Sequence, residues 1–268
     1  MAIRLLVSDV DGTLVDPQKQ LTDGVIAAVG RLRAAGVGFT IISARPRSGL
    51  MPIADALSLD EPIGAFNGGI VFRRSGEVMA HHRVAGDVAR GIWAMIGDAP
   101  VDRWVFADDR WYASTDQGVH VEHERRASAQ EPVVTQDFDA LLDRADKITF
   151  VSDDEALLRS LHDRVKPAYG DKATVVQSQT YYLDVTAVQA NKGVGITELA
   201  AAFDVSLADT AAIGDQANDV PMLEKAGLAI AMGNAPDAVK AIADEVSRGN
   251  DEDGVAWAID HIILKDHA

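Results

Sequence analysis

Ile3-Arg4-Leu5-Leu6-Val7-Ser8-Asp9-Val10-Asp11-Gly12-Thr13-Leu14-Val15-Asp16 is the stretch on which the fold of this chain turns. Ile3 and Leu5 to Val7 make a short apolar run of the kind a buried strand presents. The run stops abruptly at Asp9-Val10-Asp11-Gly12-Thr13. In an open α/β sheet, ligands bind beyond the ends of the parallel strands. Residues two apart on an extended segment project to the same side, so Asp9 and Asp11 share one direction. Gly12 lets the backbone turn sharply, and Thr13 offers a hydroxyl. Such a pair of carboxylates suits phosphoryl transfer through a covalent intermediate. One carboxylate attacks phosphorus. The other protonates the leaving oxygen and then takes a proton from water. Clustered carboxylates repel one another, and a divalent cation with hard oxygen ligands relieves the repulsion. Asp-Gly alone is also an ordinary turn signal, so the rest of the chain has to supply the other parts.

The 268 residues suffice for one large domain or two modest ones. Hydrophobic residues make up 47% and charged residues 25%, the balance of a globular protein. No repeat of fixed period is present. The net charge of −16 disfavours nucleic-acid backbones and anionic lipid as partners, so neither nucleic acid nor membrane is expected. It also means that a phosphate site must create its own positive field. There are no cysteines, which excludes disulfides, thiol catalysis and cysteine-bound metals. No apolar run reaches the length of a membrane span and no signal-peptide pattern appears, so a cytoplasmic location is the expectation.

Outward from the first stretch, Leu21 to Ala35 has apolar residues at helical spacing, with Thr22 or Asp23 as cap and Gly36 as terminator. Val37 to Ser43 follows as a second strand, giving a strand–helix–strand crossover. It ends in Ser43-Ala44-Arg45-Pro46, where a hydroxyl and backbone amides at a helix start can hold phosphate oxygens. Read alone, Ser43 is better explained as an ordinary N-cap. Asn67-Gly68-Gly69 permits unusual dihedrals and close approach of a ligand. Residues 84–184 then change character, with strands and helices alternating as in a separate α+β domain. His81, His82, His120 and His123 within or beside this segment lack metal-ligand spacing and read as surface histidines. Asn191-Lys192-Gly193 opens a helix, placing a lysine where it can neutralise charge on a transferring group. Thr210 to Ile213 is another strand, ending in Gly214-Asp215-Gln216-Ala217-Asn218-Asp219. Gly227 to Met232 reads as a further strand, and Ala238 to Val246 as a helix.

Taken together, these residues resemble the motifs of the haloacid dehalogenase-like (HAD) superfamily. Asp9-x-Asp11-x-Thr13 matches the nucleophile motif, Ser43 the second motif, Lys192 the third, and Gly214-Asp215-x-x-Asn218-Asp219 the fourth in full. Asn67-Gly68-Gly69 is similar to the Cof-type branch, which carries a large, late-inserted cap. Two departures occur: Ser43-Ala44-Arg45 stands where the branch commonly has Thr-Gly-Arg, and Asn191 where it commonly has Ser. The resemblance implies an α/β fold, a Rossmann-like parallel-sheet core (residues 1–83 and 185–268) with an inserted α+β cap (84–184). It implies a phosphatase acting on a small phosphorylated metabolite, a sugar phosphate first among them. Asp9 would be the nucleophile and Asp11 the acid and base. Ser43 and Lys192 would hold the phosphoryl oxygens, with Thr13, Ala44, Arg45, Asn67 and Asn218 as substrate contacts. Mg2+ would be held by Asp9, the Asp11 backbone carbonyl and Asp215, with Asp219 in support. Two alternatives compete: a non-catalytic sensor of phosphorylated metabolites, which the intact catalytic set disfavours, and a sugar phosphomutase. Related mutases place a helical cap soon after the first motif, whereas only a short segment separates Asp9 from Ser43 here. Oligomeric state has no signature in the sequence.

Overall fold

A computed structural model describes residues 3–265. The chain divides into two compact units. One takes the described residues through Ala44, then Met51–Ala80 and the residues from Asn191 onward. The other takes Arg45–Leu50 and His81–Ala190. The sequence-based segment 84–184 lies inside the second unit, which also includes a short piece, 45–50, from far earlier in the chain.

The first unit is built on a five-stranded sheet with Leu5–Ser8 near its centre. Gly38–Ile41 pairs on one side of it and Thr210–Gly214 on the other. Leu228–Ala231 and then Glu245–Val246 extend the sheet outward, and every pairing is parallel. Leu5 and Val7 alternate with Leu6, so both faces are buried, as a parallel sheet requires. On one face Leu5, Val7, Ala212 and Ala231 pack with Ile196 and Leu199 of helix Lys192–Ala202. That helix is capped by Asn191, whose side chain accepts from the Val194 amide (3.0 Å). Asn thus does at its start what a serine would do. Helix Asp23–Ala34 is capped by Thr22 and followed by Gly36 at φ +82°.

One expected helix is mostly absent. Only Asp237–Lys240 is helical, and Glu245–Val246 is the outer strand of the sheet. Ala238, Val239, Ile242 and Val246 fit a helical period, but Asp244 interrupts it. Its carboxylate accepts from the Ala229 amide (2.8 Å), while its own amide donates to the Ala229 carbonyl (2.9 Å). These two bonds draw the segment into the sheet. The final helix also differs in kind, with α-helix Gly254–Ala258 passing into a π-helical turn at Ile259–Ile263.

The second unit carries a six-stranded mixed sheet. Its spatial order is Ala173–Gln179, Tyr182–Ala187, Ala145–Val151, Asp102–Ala107, Arg110–Ala113 and Val133–Val134. The pairings are antiparallel until the last, which is parallel. Helices Gly86–Ile96 and Glu155–Tyr169 cover one face through Ile92, Ile96, Leu158 and Leu161 against Ile148, Phe150 and Val185. Residues of opposite parity on these strands, Trp104, Phe106, Lys147, Thr149, Tyr182 and Asp184, belong to the other face. Among the described residues no helix is long and apolar enough to cross a membrane.

Candidate active site

Asp9 follows the last residue of strand Leu5–Ser8, and its amide still donates to the Ile213 carbonyl (3.0 Å). It is therefore fixed beside the end of the strand that carries Asp215. The side chain is 5% exposed and accepts from Lys192 Nζ. Lys192 is wholly buried and also donates to Asp219 Oδ1. The other Asp219 oxygen accepts from the amides of Asp215 and Gln216, both at 2.8 Å. Asp219 thereby closes the turn after Gly214 while holding the lysine. Gly214 has to be glycine, because a Cβ there would lie 2.5 Å from Asp219 Cγ.

Gly12 has the same character. It sits at φ +86°, and a Cβ would lie 2.5 Å from Asp215 Oδ2. The turn after Asp11 is pressed against Asp215. Thr13 completes that contact by donating to Asp215 Oδ1 (3.0 Å). The Thr13 hydroxyl, expected as a substrate contact, is engaged with this carboxylate. Asp11 emerges on the more open side, its side chain 35% exposed and paired with Lys19 at 2.9 Å.

One oxygen each from Asp9, Asp215 and Asp219 lies within 4.8 Å of the others. Burial pushes Asp9 above the usual carboxylate range, against the pull of Lys192 and with the push of Asp219. Burial also raises Asp215, partly offset by hydrogen bonds from Gln216 and Thr13. Lys192 loses charge stability by burial, but Asp219 and Asp9 outweigh that, so it stays firmly protonated. Three buried carboxylates thus face one buried ammonium. Hard oxygen donors short of positive charge fit a hard divalent cation.

The remaining expected residues gather in part. Ser43 is buried, and its carbonyl accepts from the Asn67 amide (2.7 Å). Asn67 holds a left-handed conformation at φ +59° and accepts from Asn218 Nδ2 (3.2 Å). Ser43, Asn67 and Asn218 therefore form one connected group in the first unit. Ala44 is exposed. Arg45 belongs to the second unit, where its Nη1 donates to the Gly49 carbonyl (3.3 Å).

Two further asparagines join the site. Asn234 Nδ2 donates to the Gly12 carbonyl (2.8 Å) and reaches Asp215 Oδ2 (3.4 Å). Asn250 donates its amide to Asn234 Oδ1 (3.0 Å) and its Nδ2 to the Val15 carbonyl (2.9 Å). Together they tie the loop after Asp9 to the turn Gly233-Asn234-Ala235. In the sequence, Gly233-Asn234-Ala235 reads as a turn within a Met-Gly-Asn-Ala run similar to one common in the family, which assigns the asparagine no role.

A second buried charged group lies wholly within the other unit. Asp184 accepts from Thr149 Oγ1 and Ser178 Oγ, both at 2.7 Å, and pairs with Lys147 (3.2 Å). Glu124 is 7% exposed, and burial lifts its carboxyl to about 7, with Lys147 and Arg45 opposing and Asp184 adding to the rise. Burial works against the Lys147 charge, but Asp184 and Glu124 prevail and hold it above its ordinary range. The histidines are placed structurally: His81 pairs with Asp146, and His120 pairs with Asp153 (2.7 Å) and stacks on Tyr181.

The family model described as haloacid dehalogenase-like hydrolase matches residues 6–259. An HMP-PP phosphatase of Escherichia fergusonii is 32% identical over 89% of this chain and 87% of its own length. A haloacid dehalogenase-like hydrolase of Bacteroides thetaiotaomicron superposes with a TM-score of 0.88 at 26% identity, over 97% of this chain and 99% of that one. A HAD subclass IIB sugar phosphatase superposes with a TM-score of 0.81 at 24% identity, over 96% of this chain and 98% of that one, a likeness of fold.

Proposed function

The chain belongs to the haloacid dehalogenase-like hydrolases, and from that premise we propose a Mg2+-dependent phosphatase that works through an aspartyl-phosphate on Asp9. The single observation that carries this reading is Asp9 itself, buried on Lys192 with Asp215 and Asp219 alongside. The substrate is a small phosphorylated metabolite, with sugar phosphates as the leading class. HMP-PP is the second reading, favoured by the name of the 32% identical relative.

In the first step an Asp9 oxygen attacks phosphorus, and the bond from phosphorus to the ester oxygen breaks. Asp11 gives its proton to that departing oxygen, so an alcohol leaves. In the second step water attacks the same phosphorus, and Asp11 takes its proton. The bond from phosphorus to the Asp9 oxygen breaks, returning the carboxylate and releasing phosphate. Lys192 holds the phosphoryl oxygens and neutralises the charge that grows on them. Ser43, Asn67 and Asn218 are proposed as polar contacts to the same group, with Ala44 (through its amide) and Arg45 as further contacts. Asp9, Asp215, Asp219 and the Asp11 carbonyl would hold Mg2+, which supplies positive charge to the phosphoryl oxygens when bound.

The test is phosphate release from a panel of sugar phosphates and HMP-PP, with Mg2+ and with chelator. Release that needs Mg2+ and vanishes in Asp9→Asn is expected. Turnover by Asp9→Asn near the parent rate would remove Asp9 as nucleophile. A folded, Mg2+-loaded protein that binds phosphorylated compounds without turnover would favour the sensor.

A further inference from the structure

The two carboxylates of Asp9-Val10-Asp11 are each matched to a different lysine. Asp9 meets buried Lys192, 183 residues away in sequence. Asp11 meets Lys19, only eight positions on, across a loop that the chain builds with some care. The Asp16 amide donates to the Gln20 carbonyl (2.9 Å), and the Gln20 amide returns a bond to Asp16 Oδ1 (2.9 Å). The Lys19 amide donates to the Asp16 carbonyl (2.9 Å). Asn250 anchors the preceding residue through the Val15 carbonyl (2.9 Å). Within this closed loop Lys19 adopts a left-handed backbone at φ +65°. A lysine is unfavourable there, where glycine or asparagine is usual, and such strain is retained where the surroundings impose it. The outcome is an ammonium 2.9 Å from Asp11 Oδ1.

We propose that Lys19 is a positioning residue for Asp11, holding the acid–base carboxyl in one orientation through the catalytic cycle. This rests on the phosphatase reading above. The Asp11 side chain is 35% exposed, far more open than that of buried Asp9. A partly exposed carboxyl samples more rotamers than a buried one, and only some present an oxygen to the leaving group. Lys19 adds a local restraint to that carboxyl. Its own side chain is 55% exposed, so water weakens the contact and leaves it a restraint on orientation rather than a buried ion pair. The inner lysine acts on the nucleophile and the outer lysine on the acid.

Leaving groups separate this role from a merely structural one. An alkyl phosphate needs a proton on its departing oxygen, whereas 4-nitrophenyl phosphate expels a weakly basic phenolate. Values of kcat/KM report the steps through Asp9 phosphorylation, so they isolate the acid role of Asp11. In the full-length Mg2+-loaded protein, Lys19→Met is expected to lower kcat/KM for an alkyl phosphate roughly tenfold or more. The loss with 4-nitrophenyl phosphate is expected to stay within about threefold. Lys19→Arg, which keeps the charge, should recover most of the alkyl phosphate activity. Lys19→Gly, which suits the positive φ, repeats the test should the Met variant fold poorly. Equal losses on both substrates, no loss, or a gain with the alkyl phosphate would overturn the proposal. Parent protein that turns over neither substrate would instead defeat the phosphatase reading, and the assignment of Lys19 with it.

Discussion

Two buried charged groups in this molecule are built to opposite accounts. Around Asp9, three carboxylates share one ammonium, Lys192. In the other unit Glu124 and Asp184 are set against Lys147 and Arg45, and neutral hydroxyls from Thr149 and Ser178 complete Asp184. The second group is close to neutral with its own side chains. The first stays deficient in positive charge, three carboxylates to one ammonium. A protein interior does not tolerate unbalanced charge without cost, so an excess of this kind marks a place completed from outside the chain. The balanced group reads as architecture.

The largest expected effect falls on the unbalanced group. Lys192→Met should lower kcat/KM by about 10³-fold or more, since the transferring group loses its nearest cation. It should also destabilise the fold by about 3–5 kcal/mol, because three carboxylates remain with no buried partner. Enzyme kinetics and urea denaturation check both halves, and Asp219→Asn in that background should restore stability without restoring activity. A Lys192→Met protein as stable as its parent would break the contrast between the two groups.

The balanced group is sharpened by pH. Glu124 titrates ordinarily near 4.5 and is lifted to about 7 by burial. The folded state then holds a proton that the unfolded chain releases, so this group makes stability fall with rising pH. Its contribution is whole below pH 4.5 and is lost between pH 4.5 and pH 7, an effect of about 3 kcal/mol. Glu124→Gln should remove that falling limb. Denaturation at pH 5 and pH 8 should show the variant gaining on the parent at the higher value, and a gap independent of pH would exclude Glu124 as its source.

Much of the first group was readable in advance. Asp9, Asp11, Lys192, Asp215 and Asp219 stand at strand ends and helix starts, where residue type and spacing are tied to local backbone shape. Asn234 and Asn250 were not readable, because their meaning comes from meeting Gly12 and Val15 across more than two hundred residues. Nothing in the residues around Lys19 marks its meeting with Asp11. The outer strand Glu245–Val246 falls inside a predicted helix because its apolar spacing suits either form until Asp244 finds Ala229. The pairing of Lys147 with Asp184 depends on strand register in the second unit, which periodicity does not specify.

Smaller effects sharpen the comparison further. Mg2+ at about 100 times its Kd should stabilise the parent by about 2.7 kcal/mol, measured as a thermal shift. The gain should vanish in Asp215→Asn and persist in Glu124→Gln, which separates the group completed from outside from the one complete in itself. An equal shift in Asp215→Asn would dissociate the ion from this site. Least of all, Thr13→Val should cost about 1 kcal/mol through the lost bond to Asp215, and should lower Mg2+ affinity in a calorimetric titration. Unchanged affinity would make Thr13 a packing residue only.

The placement of Leu5–Ser8 between Gly38–Ile41 and Thr210–Gly214 has a consequence for how the chain reaches this state. Thr13 and Asp215 touch although 202 residues separate them. Closing so long a loop is entropically costly and slow, whereas most of the second unit is one continuous run, His81–Ala190. A ribosome delivers the first strand early and its neighbour Thr210–Gly214 only after the whole of the second unit. Until then the edge of Leu5–Ser8 is an open template of unpaired backbone, which makes the nascent chain most vulnerable to aggregation at the very strand that carries its nucleophile.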